Sequence, residues 1–128
     1  MLKPNPVLTA NAPKPIGPYN QAIEAGEFIF CSGQIALHPE TGQVITGSVE
    51  DQTRQVLANL DAVLVAAGSG LDRVVKTTIF LKSMGDFPKV NEVYATFFTA
   101  VAPARSTVEV SRLPKDVLVE IEAVALKG

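Results

Sequence analysis

The stretch that decides the fold is "PARSTVEVSRLPKDVLVEIEAVAL", residues 103–126. Two runs within it, residues 104–111 and 117–126, alternate polar with apolar or β-branched residues over lengths typical of strands. The intervening "RLPKD" combines a proline with polar residues, which is typical of a turn. The segment therefore predicts two consecutive β-strands.

A helix is the clearest prediction ahead of this segment, in "SVEDQTRQVLANLDAVLVAAG", residues 48–68. Its apolar residues recur every three or four positions, so that they fall on one helical face. Ser48 is a suitable N-cap with Asp51 three residues on, and Gly68 is suited to close the last turn. These signals predict an amphipathic helix packed against a sheet.

A second helix is predicted in "GDFPKVNEVYATFF", residues 85–98. Asp86 is the expected N-cap, and Pro88 is tolerated in the first turn of a helix. The apolar face of this helix consists of Val90, Val93, Tyr94 and Phe97.

Three further strands are predicted, at residues 19–26, 27–37 and 73–83, and the middle one is interrupted near Gly33. Strands and helices then follow in an order that fits an α+β fold, a mixed sheet with both helices on one face. We found no repeat, low-complexity tract or long linker, so residues 1–128 are expected to form one domain.

The last predicted strand carries apolar residues on both of its sides. One side presents Val119, Ile121, Ala123 and Ala125, and the other presents Leu118, Val124 and Leu126. Because two helices cover only one face of the sheet, the second apolar face predicts self-association. Closed, symmetric homo-oligomers are the common form of such association.

Composition restricts the function. The chain is 47% hydrophobic and 19% charged, with a net charge of −2 and no basic block, which argues against a nucleic-acid or membrane surface. A lone cysteine, Cys31, excludes an internal disulfide, and the lone histidine, His38 in a turn-like stretch, excludes a triad that needs a second histidine. There is no signal-peptide, phosphate-loop, dinucleotide or metal-ligand pattern, so a cytoplasmic protein without metal or cofactor is expected.

The most informative charged residues lie on the two C-terminal strands. Alternation places Arg105, Thr107 and Glu109 on one face, and Glu120 with Glu122 on one face of the next strand. An arginine fork suits a planar carboxylate, and a carboxylate such as Glu120 suits the activation of a water molecule. A structural ion pair or two solvated charges explain the same residues equally simply.

A simple hairpin does not bring the two groups together. With its turn near Lys115, Arg105 lies opposite Ala125, about 17 Å along the strand from Glu120. Contact between Arg105 and Glu120 would need a bulge, a different strand order or a strong twist.

Three further positions each allow two interpretations. Tyr19, after a Gly-Pro turn, either walls a pocket or packs in the core. Gly33, next to Ser32, either lets a ligand approach the backbone or marks a β-bulge. Asn91 lies beside the apolar stripe of the second helix and is either exposed or a polar lining residue.

Five segments together resemble the reactive intermediate deaminase A family (RidA, also called YjgF). They are "IGPYNQAI", "FCSGQIAL", "VVKTTIFLK", "VNEVYATFF" and the C-terminal stretch quoted first, in family order over nearly the whole chain. The resemblance implies a chorismate mutase-like fold and a homotrimer with pockets between neighbouring subunits.

The resemblance also implies an activity, the hydrolysis of 2-imino acids to 2-keto acids and ammonia. The implied substrates, 2-aminoacrylate/2-iminopropanoate and 2-iminobutanoate, are released by pyridoxal-phosphate dehydratases. The implied enzyme is a hydrolase of C–N bonds other than peptide bonds. By this analogy Arg105 holds the substrate carboxylate and Glu120 activates water. The remaining pocket positions that match the family are Tyr19, Ser32, Gly33, Asn91 and Thr107. Thr107 stands where some members have cysteine, so no thiol takes part.

Two other functions remain open from the sequence. One is an endoribonuclease or translation inhibitor, an activity also attributed to family members, although the single histidine and the net charge of −2 argue against it. The other is a non-catalytic protein that binds small carboxylates, in which Arg105 anchors the ligand and Glu120 has no role.

Overall fold

The computed structural model of the protein describes residues 3–128, in which one mixed sheet carries two helices on one of its faces. The strands lie in the order β1-β2-β3-β6-β4-β5. Their bounds are β1 Asn5–Val7, β2 Ala22–Ala25, β3 Phe28–Gln34, β4 Val74–Leu81, β5 Ala104–Glu109 and β6 Val119–Leu126. The helices are α1 Val49–Ala66 and α2 Phe87–Phe97. The predicted α+β fold with a mixed sheet is thus confirmed.

The two C-terminal strands are not neighbours, so the simple hairpin considered from the sequence is not formed, and the different strand order that was left open is the one observed. β4 lies between them, pairing parallel with β5 and antiparallel with β6. α2 provides the crossover that a parallel pair requires. β6 occupies the sheet interior between β3 and β4, which suits its fully buried Val119, Ile121 and Ala125.

The start of α1 follows the sequence prediction, whereas the start of α2 does not. The Ser48 Oγ accepts a hydrogen bond from the Asp51 N–H at 3.2 Å, and Asp51 Oδ2 accepts one from the Ser48 N–H at 3.3 Å. Asp86 makes no side-chain cap, because it is already helical (φ −81°, ψ −7°) at the end of a 3₁₀ turn. Ahead of it, the Met84 N–H donates to Glu109 Oε1 at 2.7 Å, and so joins this turn to β5.

The main core lies between the helices and the sheet. Fully buried side chains from both layers fill it, among them Leu57, Leu60 and Leu64 of α1, Ile79 and Leu81 of β4, and Ile121 of β6. Burial of each such side chain contributes about 1.5–3 kcal/mol before the entropic cost of ordering it.

The opposite face of the sheet carries exposed large apolar residues, as the pattern of the last strand predicted. Phe28, Phe30 and Leu126 retain 41%, 48% and 42% of their accessible surface. The Phe28 and Phe30 rings lie 6.3 Å apart, and Leu126 pairs with Phe28 across the β3–β6 ladder. A contiguous apolar patch is thus open on the face away from the helices.

Across residues 3–128, no helix combines the length and the apolar character needed to cross a membrane. The first strand, β1, was not predicted from the sequence, because its "NPV" is short and contains a proline.

Candidate functional site

Arg105 lies on β5 with its side chain on the helix side of the sheet. Its Nη1 donates a hydrogen bond to Asn91 Oδ1 of α2 at 2.7 Å. The guanidinium carbon also lies 4.9 Å from the ring centroid of Tyr94 and 5.2 Å from that of Phe87. One hydrogen bond and two cation–π contacts therefore hold the guanidinium in a fixed position.

The guanidinium nevertheless has N–H donors that form no hydrogen bond within the described residues. Among residues 3–128 no carboxylate lies within salt-bridge distance of Arg105, so the structural ion pair considered from the sequence is not formed. An open cavity of about 570 Å³ adjoins it, lined by Asn91, Tyr94, Ala95, Phe98, Ala102, Pro103 and Arg105. A half-buried cation with an open cavity suits a planar anion, to which an arginine fork can donate two hydrogen bonds.

Tyr94 does not neutralise Arg105. Its hydroxyl shares a 2.7 Å hydrogen bond with the buried Thr77 Oγ1. Burial raises the pKa of Tyr94 above its usual value of 10.0, and this effect outweighs the hydrogen bond and the charge of Arg105, which lower it. The phenol is therefore uncharged at neutral pH, and the positive charge of Arg105 remains available to a ligand.

Thr107 follows Arg105 on the same face of β5, as predicted from alternation. Its Oγ1 is buried and has no hydrogen-bond partner among residues 3–128. Leaving a buried hydroxyl unpaired costs about 1–3 kcal/mol. The hydroxyl of Thr107 therefore keeps its hydrogen-bonding capacity unused within the described residues.

Glu120 lies on β6 and lines a different cavity, of about 380 Å³. Three of the sequence candidates line this cavity with it: Tyr19, Ser32 and Gly33. The β3–β6 register shifts between Cys31 and Gln34, so Gly33 lies in a bulge. A Cβ built on Gly33 would overlap the Glu120 carboxylate. The β-bulge interpretation of Gly33 is therefore confirmed, and the side chain that approaches the backbone there is that of Glu120.

The environment of Glu120 makes its carboxylate more basic. Burial raises its pKa above the usual value of 4.5, and the negative charge of Glu122 on the same strand raises it further. A carboxylate with a raised pKa accepts a proton from water more readily than an exposed one does.

The wall opposite Glu120 is fixed by hydrogen bonds to the backbone. Ser32 Oγ donates to the Asn20 carbonyl at 2.6 Å, and the Ser32 N–H donates to the Gln21 carbonyl at 3.0 Å. Tyr19 is 47% exposed, and its hydroxyl accepts a weak bond from the Ile16 N–H at 3.4 Å. Tyr19 therefore walls the cavity and is not a core residue.

Arg105 and Glu120 lie on opposite faces of the sheet. Thr77 of β4 pairs with Arg105, whereas Phe80 of β4 pairs with Glu120. These two β4 residues are three positions apart, an odd number, so their partners point to opposite sides, about 10 Å apart along the strand. Within one chain, neither the observed strand order nor the bulge brings them together.

The structure adds residues that sequence reasoning missed. Phe87 and Tyr94 support the guanidinium, and with Asn91 they fall at spacing i, i+4 and i+7 on α2, a signal present in the sequence. Gln21, fully buried beside the Glu120 cavity, gave no signal because a glutamine in a polar loop is ordinarily exposed. Among the described residues no group of three or more histidine, cysteine or acidic side chains is arranged to hold a metal ion.

These features define a small α+β protein with a half-buried arginine beside an open cavity on one sheet face and a carboxylate of raised pKa on the other. A family model described as Endoribonuclease L-PSP matches residues 9–127. The chain belongs to this family, which is the RidA/YjgF family.

Named relatives cover nearly the whole chain. A RutC family protein of Pyrococcus horikoshii is 60% identical over 121 residues, 94% of this chain and 96% of that protein. The 2-iminobutanoate/2-iminopropanoate deaminase of Mus musculus is 45% identical over 122 residues, 95% of this chain and 90% of that protein. The crystal structure of Escherichia coli TdcF with bound serine superposes with a TM-score of 0.92 at 43% identity, covering 97% of this chain and 99% of that one.

Proposed function

We propose that this protein hydrolyses reactive 2-imino acids, such as 2-iminopropanoate and 2-iminobutanoate, to 2-keto acids and ammonia. The observation that carries the proposal is the guanidinium of Arg105, which is held in place but keeps free donors toward an open cavity. The mouse relative is named for this activity, and the E. coli relative binds serine, a small molecule that carries a carboxylate.

The proposal requires a second copy of the chain. Arg105 with Asn91 and Thr107 lies on one face, and Glu120 with Tyr19, Ser32 and Gly33 lines the other cavity, so one copy supplies each half. The apolar patch of Phe28, Phe30 and Leu126 supports association through the open face. We propose a homotrimer with a site at each subunit boundary, which a sedimentation measurement of the native mass tests directly.

In the proposed reaction Arg105 binds the substrate carboxylate and Glu120 activates water. The water oxygen adds to the carbon of the protonated imine as the C=N bond becomes single, and Glu120 takes the proton that water loses. Glu120 then returns this proton to the nitrogen of the resulting carbinolamine. The C–N bond breaks, the oxygen forms the keto carbonyl, and ammonia leaves with the hydroxyl proton as ammonium.

The chemistry suits a site of few groups. A protonated imine is already electrophilic, so the site has to orient the substrate and place one water molecule beside it. Each tenfold gain in rate needs about 1.4 kcal/mol of transition-state stabilisation. Substrates of this kind are released by pyridoxal-phosphate dehydratases, and we propose that the protein acts beside such an enzyme in the cytoplasm.

The direct test adds the protein to a dehydratase reaction and follows keto acid and ammonia release. Wild type should accelerate release, whereas Arg105→Ala should lose most of the effect because the substrate carboxylate loses its hydrogen-bonding partner. A hydrogen bond to a charged group contributes about 1.5–3 kcal/mol, so the rate should fall about 10- to 100-fold. Arg105→Lys, which keeps the charge without the fork, should fall between them. Full activity of Arg105→Ala would refute the proposal.

Two outcomes would favour the alternatives. A Glu120→Ala variant that keeps both ligand affinity and biological function would indicate a non-catalytic carboxylate-binding protein. Cleavage of RNA that disappears in Arg105→Ala would support the activity in the family description. Cleavage that survives the substitution would come from a contaminating nuclease.

A further inference from the structure

A buried glutamine holds the wall of the Glu120 cavity in place. Gln21 is 1% exposed and lies directly before β2, at the end of the connection between β1 and β2, residues 8–21. This connection contains no regular secondary structure and supplies Pro13, Lys14, Ile16 and Tyr19 to the cavity. Connections of this length are uncommon without a functional reason.

The amide of Gln21 binds the backbone of this connection at several points. Its Oε1 accepts from the Thr9 N–H at 2.7 Å. Its Nε2 donates to the carbonyls of Thr9 at 3.0 Å, Ala12 at 3.3 Å and Pro13 at 2.9 Å. The segment has no backbone-to-backbone hydrogen bonds of a helix or sheet, and the side chain of Gln21 takes their place. It pairs backbone N–H and carbonyl groups that would otherwise be buried without a partner.

The backbone of Gln21 joins the same segment to the bulge of β3. Its carbonyl accepts from the Ser32 N–H at 3.0 Å, and the neighbouring Asn20 carbonyl accepts from Ser32 Oγ at 2.6 Å. Gly33, the next residue of the bulge, lies against the Glu120 carboxylate. One buried residue therefore connects the loop that carries Tyr19 with the bulge that positions Glu120.

We infer that Gln21 is a positioning residue of the site, which fixes residues 9–19 as a wall over Glu120 and so sets how tightly the substrate is held. This inference rests on the proposed deaminase function. Gln21 touches no reacting atom itself and acts through Tyr19 and the Ser32–Gly33 bulge.

Two variants test the inference in the full-length protein. Gln21→Met keeps the approximate size of the side chain but removes its hydrogen bonds. Gln21→Asn keeps the amide but is one methylene too short to reach residues 9 and 13 together. Val63→Ala in α1 serves as a control, because it removes fully buried methyl groups from the core and lowers stability while it leaves the hydrogen bonds of Gln21 in place.

Two measurements are made on each variant, amide hydrogen exchange over residues 8–20 and the separate values of kcat and KM for imine hydrolysis. Both Gln21 variants should speed exchange in this segment by about tenfold or more, because each lost bond destabilises the closed loop. They should raise KM by a similar factor with a smaller change in kcat. The Val63→Ala control should leave the segment's exchange and KM unchanged.

Amide exchange that stays slow in Gln21→Asn and Gln21→Met would overturn the inference. Faster exchange with an unchanged KM would also overturn it, because Gln21 would then have a structural role only. If Gln21→Met fails to fold, Gln21→Asn decides alone. If wild type hydrolyses no imine, the proposed function is refuted, but the role of Gln21 can still be tested by ligand binding. The dissociation constant of 2-oxobutanoate, measured by calorimetry on the same variants, then replaces KM and decides the inference with the same two outcomes.

Discussion

At the scale of single residues, the contact between Gly33 and Glu120 positions the carboxylate. The three heavy atoms nearest to a Cβ built on Gly33 all belong to Glu120, including Cδ at 2.9 Å and Cγ at 3.1 Å. Gly33 does not have the positive φ that disfavours other residues, so its importance lies in the space it leaves. Glu120 uses that space to lie against the bulge, where burial raises its pKa.

Gly33→Ala should therefore lower kcat for imine hydrolysis by about 100-fold, because a shift of roughly 1 Å in a reacting group has effects of this size. Steady-state kinetics with 2-iminobutanoate measures the effect. Gly85→Ala is the matched control, since its Cβ would meet only Ser83 Oγ at 3.4 Å, outside both cavities. A kcat of Gly33→Ala equal to that of the control would show that Glu120 does not need this position.

At the scale of secondary-structure elements, α2 and β5 form one unit around Arg105. α2 presents Phe87, Asn91 and Tyr94 to the guanidinium, and β5 presents the arginine from the sheet edge. The hydrogen bond from the Met84 N–H to Glu109 Oε1 also joins the turn before α2 to β5. This arrangement orients the arginine before any ligand arrives.

Asn91→Ala should raise KM by roughly tenfold while changing kcat little, because the loss of a hydrogen bond to a charged group costs about 1.5–3 kcal/mol and loosens the fork. Kinetics on Asn91→Ala and on Glu92→Ala, an exposed neighbour on the same helix, measures the effect. A KM that is the same in both variants would mean that the two aromatic rings suffice to orient Arg105.

The sequence predicts most elements but not their neighbours in the sheet. Helical periodicity and the Ser48–Asp51 capping box are local signals, and both are confirmed. Strand order depends on pairings distant in sequence, so the sequence left open whether β5 pairs with β6, and the structure places β4 between them. The same limit applies to the site. Alternation correctly placed Arg105 and Thr107 together, but the bonds of Gln21 depend on how residues 8–21 fold back onto it.

At the scale of the whole molecule, the sheet separates the two halves of the proposed site. The halves lie on opposite faces, and the face of Glu120 also carries the exposed apolar patch. In the proposed trimer, a second copy covers the patch and removes it from water, and the Arg105 of one copy lies beside the Glu120 of its neighbour. The site would then be complete only when the subunits associate.

The central claim is that each site combines Arg105 of one subunit with Glu120 of another, and mixing two inactive variants tests it most directly. Arg105→Ala and Glu120→Ala are unfolded together, refolded as mixed oligomers and assayed for imine hydrolysis. Random mixing should restore about a quarter of wild-type activity, because a site is intact only when its Arg105 comes from the Glu120→Ala variant and its Glu120 comes from the Arg105→Ala variant. Each variant refolded alone should keep only the low residual activity that its own substitution leaves. Mixed oligomers as inactive as the separate variants would contradict the account.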